Sequence, residues 1–222
     1  MRSLLLLLII PFFDFSTSEF RYETMNIRGW KVHFESVLVE EQELFEEVHM
    51  LMMAKLWEID SRLPESTVAK LRKVPIYFHL NRMGNPGACY HPSSEWLKRN
   101  NLPERWAQSV EFGVAKNFLI WIHDQPSMVL HEMAHAYHHR VLGYDNSEII
   151  QAYDNAISKG MYSETLHVRG GVVSGYASTN VQEYFAETAE AYWGTNDAFP
   201  FVRGELIEHD SVIAEIHSRI WG

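Results

Sequence analysis

Residues 129–139 have the sequence VLHEMAHAYHH, and this stretch of the 222-residue chain predicts its fold more strongly than any other. The stretch contains the pattern His-Glu-x-x-His at His131, Glu132 and His135. In an α-helix, side chains four positions apart lie on the same face about one turn apart, so both imidazoles can reach a single ion. The glutamate then lies beside the open position of that ion. The pattern predicts a helix with two metal ligands and a carboxylate on one face.

The pattern needs support from its surroundings. The chain has 12 histidines, and a shuffled chain of the same composition would contain His-Glu-x-x-His about 0.06 times. The same stretch also carries an apolar face, which would hold the metal-binding face rigidly against a core. We expect the helix to begin at a cap formed by Asp124 or Ser127 and to run to Leu142, before Gly143.

A third ligand is needed, and the nearest histidine does not fit. His138 lies seven residues after His131, which is about 10.5 Å along a helix axis and too far for both rings to bind one ion. A HExxHxxGxxH metalloprotease would have glycine at position 138 and histidine at position 141, where this chain has His138 and Val141. We therefore expect His138 and His139 to be solvated, hydrogen-bonded or placed behind the metal ligands.

A second helix is predicted from Asn180 to Trp193, and it carries a row of carboxylates. Glu183, Glu187 and Glu190 fall on one face, where like charges four apart cost roughly 0.2 to 0.5 kcal/mol a pair. A buried cation would neutralise them. Alternatively, Asn180 and Glu183 form a capping box and the row faces water. Spacing alone leaves both interpretations open.

Two further positions make the chain resemble a known family. Tyr176 precedes Glu183 by seven residues, Glu187 follows it by four, and 48 residues separate His135 from Glu183. This pattern resembles the gluzincin metallopeptidases related to anthrax lethal factor and the bacterial Pro-Pro endopeptidases, and the resemblance covers residues 127–193.

Wider stretches look like a group of small secreted bacterial proteins of unassigned substrate. They are GACYHP (87–92), AKNFL (115–119), VLHEMAHAYHH (129–139) and NVQEYFAETAEAYWG (180–194). The implied fold is α+β, a zincin-like metallopeptidase domain with a small mixed sheet packed on the His-Glu-x-x-His helix and on the second, glutamate-bearing helix.

The resemblance also implies roles for individual residues. Three of them would bind one Zn²⁺ per chain: His131, His135 and Glu183. Glu132 would be the general base that takes a proton from zinc-activated water, Tyr176 would face the reacting carbonyl, and Glu187 would orient a ligand histidine. The implied function is that of a secreted zinc-dependent metalloendopeptidase acting on a peptide or protein substrate.

Two other functions remain open. One is a zinc hydrolase of another bond, such as an amidase of cell-wall peptides. The other is a zinc-binding interaction module without catalysis, against which the intact Glu132 argues because a pure binder has no use for the base.

The rest of the sequence limits the cellular location and the possible partners of the protein. After Arg2, the apolar run Leu4–Phe13 and the polar stretch Ser16–Ser18 match a signal peptide at residues 1–18, followed by a single domain at 19–222. The run is too short to span a bilayer, so we expect a secreted or periplasmic protein with no stable membrane insertion after signal removal.

A net charge of −10 argues against a nucleic-acid partner. The single cysteine, Cys89, excludes an intramolecular disulfide and is expected to be a small buried apolar residue.

Periodicity predicts the other elements. Helices are expected at Ser36–Arg62, Ser147–Lys159 and Arg203–Ile220, strands at Val74–Leu80 and Ser109–Ala115, and a strand or hairpin at His167–Ser178. Gly113 inside the second strand indicates close approach of another backbone. We expect Ser109–Ala115 to pair with the extended backbone of a substrate.

Overall fold

The computed structural model describes residues 20–221. The expected signal peptide lies outside this range. The strands within it are β1 (Tyr22–Ile27), β2 (Trp30–Glu35), β3 (Ile76–Phe78), β4 (Ala88–Tyr90), β5 (Val110–Phe112), β6 (Thr165–Leu166) and β7 (Val172–Val173). The α-helices are α1 (Ser36–Glu40), α2 (Gln42–Arg62), α3 (Glu65–Leu71), α4 (Ser94–Arg99), α5 (Ala115–Trp121), α6 (Met128–Tyr137), α7 (Ser147–Ser158), α8 (Val181–Trp193), α9 (Arg203–His209) and α10 (Ser211–Ile220). Two 3₁₀ turns, at Glu104–Trp106 and Tyr176–Ser178, and a π-helical turn at His138–Leu142 complete the described elements.

The first five strands form one mixed sheet in the order β1-β2-β3-β5-β4. The three central strands are parallel, whereas each edge strand is antiparallel to its neighbour. The chain is therefore α+β with a small mixed sheet, as the sequence predicts. The β1–β2 hairpin was not predicted, and it turns at Arg28 and Gly29, which have φ of 55° and 95°.

The strand predicted at Ser109–Ala115 is present as β5, but its predicted role in pairing with substrate is wrong. β5 lies between β3 and β4, so both of its edges are already paired within the sheet. The free edge on this side belongs to β4. The expectation for Gly113 is confirmed, because a Cβ atom there would lie 1.9 Å from the carbonyl oxygen of Asn85. Any side chain at position 113 would push the β3–β4 connection away from the sheet.

A stack of phenylalanines joins the sheet to the helical layer. Phe34, Phe78 and Phe112 come from the three parallel strands, with ring centroids 5.4 and 4.4 Å apart. Phe118 of α5 packs edge-on against the last two rings. Because side chains alternate along a strand, Tyr77 points to the opposite face, where it joins a smaller core.

Two of the predicted helices are each divided in two. The helix predicted at Ser36–Arg62 is interrupted at Glu41, which separates α1 from α2. The helix predicted at Arg203–Ile220 is interrupted at Asp210, which caps α10 by accepting a hydrogen bond from the backbone N–H of Ile213 at 3.4 Å. The same carboxylate accepts hydrogen bonds from the hydroxyl groups of Tyr162 and Tyr184. Asp210 thereby fixes the end of α9 and the start of α10 to the core.

The His-Glu-x-x-His helix is α6, and its main packing partner is α8. α6 begins after Ser127 and continues through the π-helical turn to Gly143, whose φ of 82° ends it. The boundaries predicted for this helix are thus confirmed, although its last turn is π-helical. The predicted side-chain cap is not formed, because Oγ of Ser127 accepts a hydrogen bond from the backbone N–H of Thr195. Across residues 20–221, no helix combines the length and the apolar character needed to cross a bilayer.

Candidate metal centre and its cleft

The packing of α6 against α8 brings three donor atoms together. His131 and His135 lie one turn apart on α6, and their Nε2 atoms are 3.0 Å from each other. Oε2 of Glu183, from the first turn of α8, lies 3.1 Å from Nε2 of His131 and 3.2 Å from Nε2 of His135. The three residues expected to be zinc ligands thus converge on one point.

The spacing of these atoms suits a tetrahedral zinc ion. Bonds of about 2.0 to 2.1 Å at tetrahedral angles place neighbouring donor atoms about 3.3 Å apart, close to the three observed separations. Two nitrogens and one carboxylate oxygen are also a donor set that zinc enzymes use, with the fourth position left for water or substrate. The residues present therefore fit the metal.

The other ring nitrogen of His131 identifies a residue that the sequence interpretation did not assign. Nδ1 of His131 lies 2.6 Å from Oε1 of Glu190, whereas Oε1 of Glu187 lies 3.7 Å away. Only the first distance is a hydrogen bond. Glu190 therefore accepts the Nδ1 proton of His131, whereas Glu187, which was expected to orient a ligand histidine, forms no hydrogen bond with this nitrogen. The bond to Glu190 leaves the Nε2 lone pair directed at the other two donor atoms.

Asn180 and Glu183 show which interpretation of the carboxylate row is correct. Oδ1 of Asn180 accepts a hydrogen bond from the backbone N–H of Glu183 at 2.9 Å, so the predicted cap is present. The Glu183 carboxylate, however, points to the two histidines and does not turn back to the cap. Glu187 and Glu190 are both buried, at 5% exposure each. The row therefore faces the centre of the molecule and not water.

Burial and charge set the protonation of this cluster in the metal-free chain. Burial alone would raise the pKa of Glu183, but hydrogen bonds from His131 and His135 lower it to about 2. Burial also disfavours the imidazolium form of His131, yet the Glu183 and Glu190 carboxylates hold its pKa well above the ordinary value. Burial and the neighbouring Glu190 charge raise the pKa of Glu187 to about 8. The carboxylates of this cluster thus stabilise a positive charge placed among them.

A cleft of about 560 Å³ opens over the three donor atoms. Glu132 lines it from α6, and Tyr176 lines it from the 3₁₀ turn before α8. Tyr176 is 55% exposed, so its hydroxyl is free to meet a bound molecule. Both residues expected to take part in catalysis therefore reach the cavity that holds the metal-ligand atoms.

The free edge of β4 forms another wall of this cleft. Backbone groups of Gly87 and His91 hydrogen-bond to Gly113 and Ser109, which flank β5, and Cys89 lies opposite Glu111 in the same ladder. Because bonding alternates along an antiparallel strand, the N–H and C=O groups of Ala88 and Tyr90 face away from β5. An extended chain could therefore hydrogen-bond to this edge.

Three residues differ from expectation or were left undecided. His138 was expected to be solvated, hydrogen-bonded or behind the ligands, but it is fully buried, and neither ring nitrogen has a hydrogen-bond partner among residues 20–221. It packs between the rings of Tyr144 and Phe185. His139 is hydrogen-bonded through Nδ1 to the Tyr90 hydroxyl at 2.9 Å. Cys89 is not fully buried, since it lines the cleft.

No protein-family model, curated protein or solved structure matches the chain.

Proposed function

We propose that the protein is a secreted zinc metalloendopeptidase of the gluzincin type, with a zincin-like catalytic domain. The observation that carries the proposal is the convergence of His131, His135 and Glu183 at zinc-ligand spacing, with Glu132 in the same cleft. A zinc ion bound there would supply a Lewis acid and an acidified water molecule.

The residues around the centre have defined tasks in this proposal. Glu132 accepts the proton from the attacking water and delivers it to the leaving amine. The Tyr176 hydroxyl donates a hydrogen bond to the oxygen that develops negative charge. Glu190 holds His131 in the tautomer that directs Nε2 at the ion. The free edge of β4 aligns the peptide backbone by main-chain hydrogen bonds.

The test compares zinc content with the rate of hydrolysis of unstructured peptides. Glu132→Gln should keep one equivalent of zinc and lose activity by about 10²- to 10⁴-fold, because an amide cannot accept the proton. Glu183→Gln should lose zinc and activity together, and excess zinc should partly restore both. Tyr176→Phe should keep zinc and lose about 10²- to 10³-fold in rate.

Glu208→Gln, at an exposed position on α9, is the matched control and should behave as wild type. If zinc is bound but only cell-wall peptides or other amides are hydrolysed, the amidase alternative replaces the peptidase. If zinc is bound and nothing is hydrolysed, the chain is an interaction module. Wild-type protein without zinc would overturn all three.

A further inference from the structure

A second pocket of about 350 Å³ lies beside the metal cleft. Its lining residues are Trp121, Asp124, Gln125, His167, Arg169 and Asp197. Trp121 and Gln125 line both cavities, so the pocket continues the cleft and is not a separate hollow. A peptide that lies over the metal centre would therefore pass the mouth of this pocket.

Asp197 supplies the pocket with a carboxylate whose charge acts on Arg169 at the rim, although the two residues form no ion pair. Its Oδ2 accepts a hydrogen bond from Nε2 of Gln125 at 3.2 Å and lies 3.9 Å from Nε2 of His167. Asp197 forms no ion pair with a lysine or arginine within residues 20–221. The one arginine in the pocket, Arg169, is paired with Asp124 at the rim.

The lining of the neighbouring metal cleft is rich in carboxylates. Within residues 20–221, four glutamates and no lysine or arginine line it: Glu132, Glu183, Glu187 and Glu190. Because His131, His135 and the proposed zinc ion balance much of that charge, a cation that enters the pocket would be attracted chiefly by Asp197.

Trp121 provides the apolar part of the pocket. A Cβ atom at Gly87 would lie 2.8 Å from Cζ3 of Trp121, so the glycine allows the indole ring to lie directly against the chain that leads into β4. The ring therefore stands where the free edge of β4 begins. A long aliphatic side chain could pack along it while its charged end reaches Asp197.

We infer that this pocket binds a lysine or arginine side chain of the peptide substrate and that Asp197 determines the preference. The inference rests on the proposed peptidase function. The aliphatic stem lies against Trp121, and the cationic end donates hydrogen bonds to Asp197. Because the pocket adjoins the metal centre, the basic residue lies within a few positions of the bond that is cut.

The test uses zinc-loaded enzyme and a set of peptides that differ at one position at a time. The varied positions run from three before to three after the cleaved bond, and each carries Lys, Arg, norleucine or Glu in turn. At one position, Lys and Arg should exceed norleucine at least about tenfold in kcat/KM, through a lower KM, because a charge-assisted hydrogen bond favours them. Asp197→Asn should reduce this ratio to below about threefold. Asp197→Lys should favour Glu over Lys at the same position.

Asp154→Asn, an exposed substitution on α7 that removes the same charge, should leave the ratio unchanged. Thermal melting of each variant separates loss of preference from loss of fold. Cleavage without a basic preference at any scanned position, or a preference that survives in folded Asp197→Asn, would overturn the inference.

Binding to zinc-loaded Glu132→Gln separates this inference from the proposed function. Calorimetry should show tighter binding of the lysine peptide than of its norleucine counterpart, and the difference should disappear when Asp197→Asn is added. If wild type cleaves no peptide, the peptidase proposal fails, while the calorimetric comparison still decides the pocket. Equal affinity for the two peptides would overturn the inference whether or not wild type is active.

Discussion

The part of the chain that the structure describes includes two buried clusters of histidine and glutamate, and they differ in how their charge is balanced. In the first, called the Glu111 cluster, Glu111 of β5 accepts contacts from His79, Arg82 and His91. Glu111 is fully buried, and Arg82 contacts both of its carboxylate oxygens. The second, called the metal cluster, consists of the three candidate zinc ligands together with Glu187 and Glu190.

The geometry of the contacts differs as much as the charge. In the Glu111 cluster, His79 approaches Oε1 at 3.3 Å and His91 approaches Oε2 at 2.6 Å. In the metal cluster, His131 and His135 both approach the same oxygen of Glu183. An arginine can neutralise a carboxylate whose contacts are spread out, whereas three donor atoms that meet at one point suit a single ion. Similar residues therefore have separated contacts in one region and converging donor atoms, which suit a metal ion, in the other.

The largest expected effect is on zinc binding by one histidine from each cluster. His135→Gln should weaken zinc affinity by about 10³-fold or more, since the ligands share a binding free energy on the order of 10 kcal/mol. His91→Gln, which removes a buried histidine with a similar carboxylate contact, should keep one equivalent of zinc. Zinc analysis after dialysis against a chelator measures both. Equal zinc loss in the two variants would mean that the clusters do not differ as described.

The second prediction concerns the stability of the Glu111 cluster. Arg82→Met should lower the free energy of unfolding by about 3 to 5 kcal/mol, because it leaves Glu111 buried without its main counter-charge. Arg62→Met is the control, since its ion pair with Glu58 is exposed and 3.5 Å long and should contribute less than about 1 kcal/mol. Urea denaturation measures both. A loss below 1 kcal/mol in Arg82→Met would show that the histidines alone balance Glu111.

A third, smaller effect separates the two glutamates behind His131. Glu190→Gln should weaken zinc affinity about 10- to 100-fold, because it replaces the charged acceptor of the Nδ1 proton. Glu187→Gln should change the affinity by less than about threefold, since the Glu187 oxygen is 3.7 Å from that nitrogen. Competition with a chromogenic chelator measures both affinities. The reverse order would return the orienting role to Glu187.

Regular periodicity explains which parts of the fold the sequence predicted. α6, α8, β3 and β5 carry apolar patterns of the right period, and the structure contains all four. The β1–β2 hairpin was not predicted because its turn uses Arg28 in a conformation with positive φ, and arginine is not among the residues that signal such a turn. β4 is only three residues long, too short for any period to show.

The same reasoning explains the outcome at the candidate site. The helical spacing of His131 and His135 is local, so sequence alone could place both nitrogens on one face. Which glutamate reaches His131 depends on how α8 packs on α6, and Glu183, Glu187 and Glu190 share one face of α8. His138 is fully buried because it packs between the rings of Tyr144 and Phe185, which are contacts that the local spacing along α6 does not reveal.

The smallest predicted effect concerns His217, a buried histidine outside both clusters. Both of its ring nitrogens have uncharged partners: the indole N–H of Trp221 donates to its Nδ1 at 2.9 Å, and the Thr188 hydroxyl lies 2.9 Å from its Nε2. Because the Thr188 hydroxyl donates to the carbonyl oxygen of Tyr184, Nε2 must carry the proton of the neutral ring. Burial, together with the charge of His138 nearby, lowers the pKa of His217 to about 3.

The sign of the pH dependence follows from that pKa. The folded state holds His217 neutral, whereas the unfolded chain protonates it below its ordinary pKa of about 6.5, so the contribution to stability is present above pH 6.5 and falls as the pH drops towards 3. Between pH 7.0 and 5.5 the loss is about 1.3 kcal/mol. Urea denaturation of metal-free protein should show a pH-dependent loss smaller by this amount in His217→Gln than in wild type. His123→Gln, at an exposed position, should keep the full loss, and the same slope in His217→Gln and wild type would mean that His217 is already charged in the folded protein.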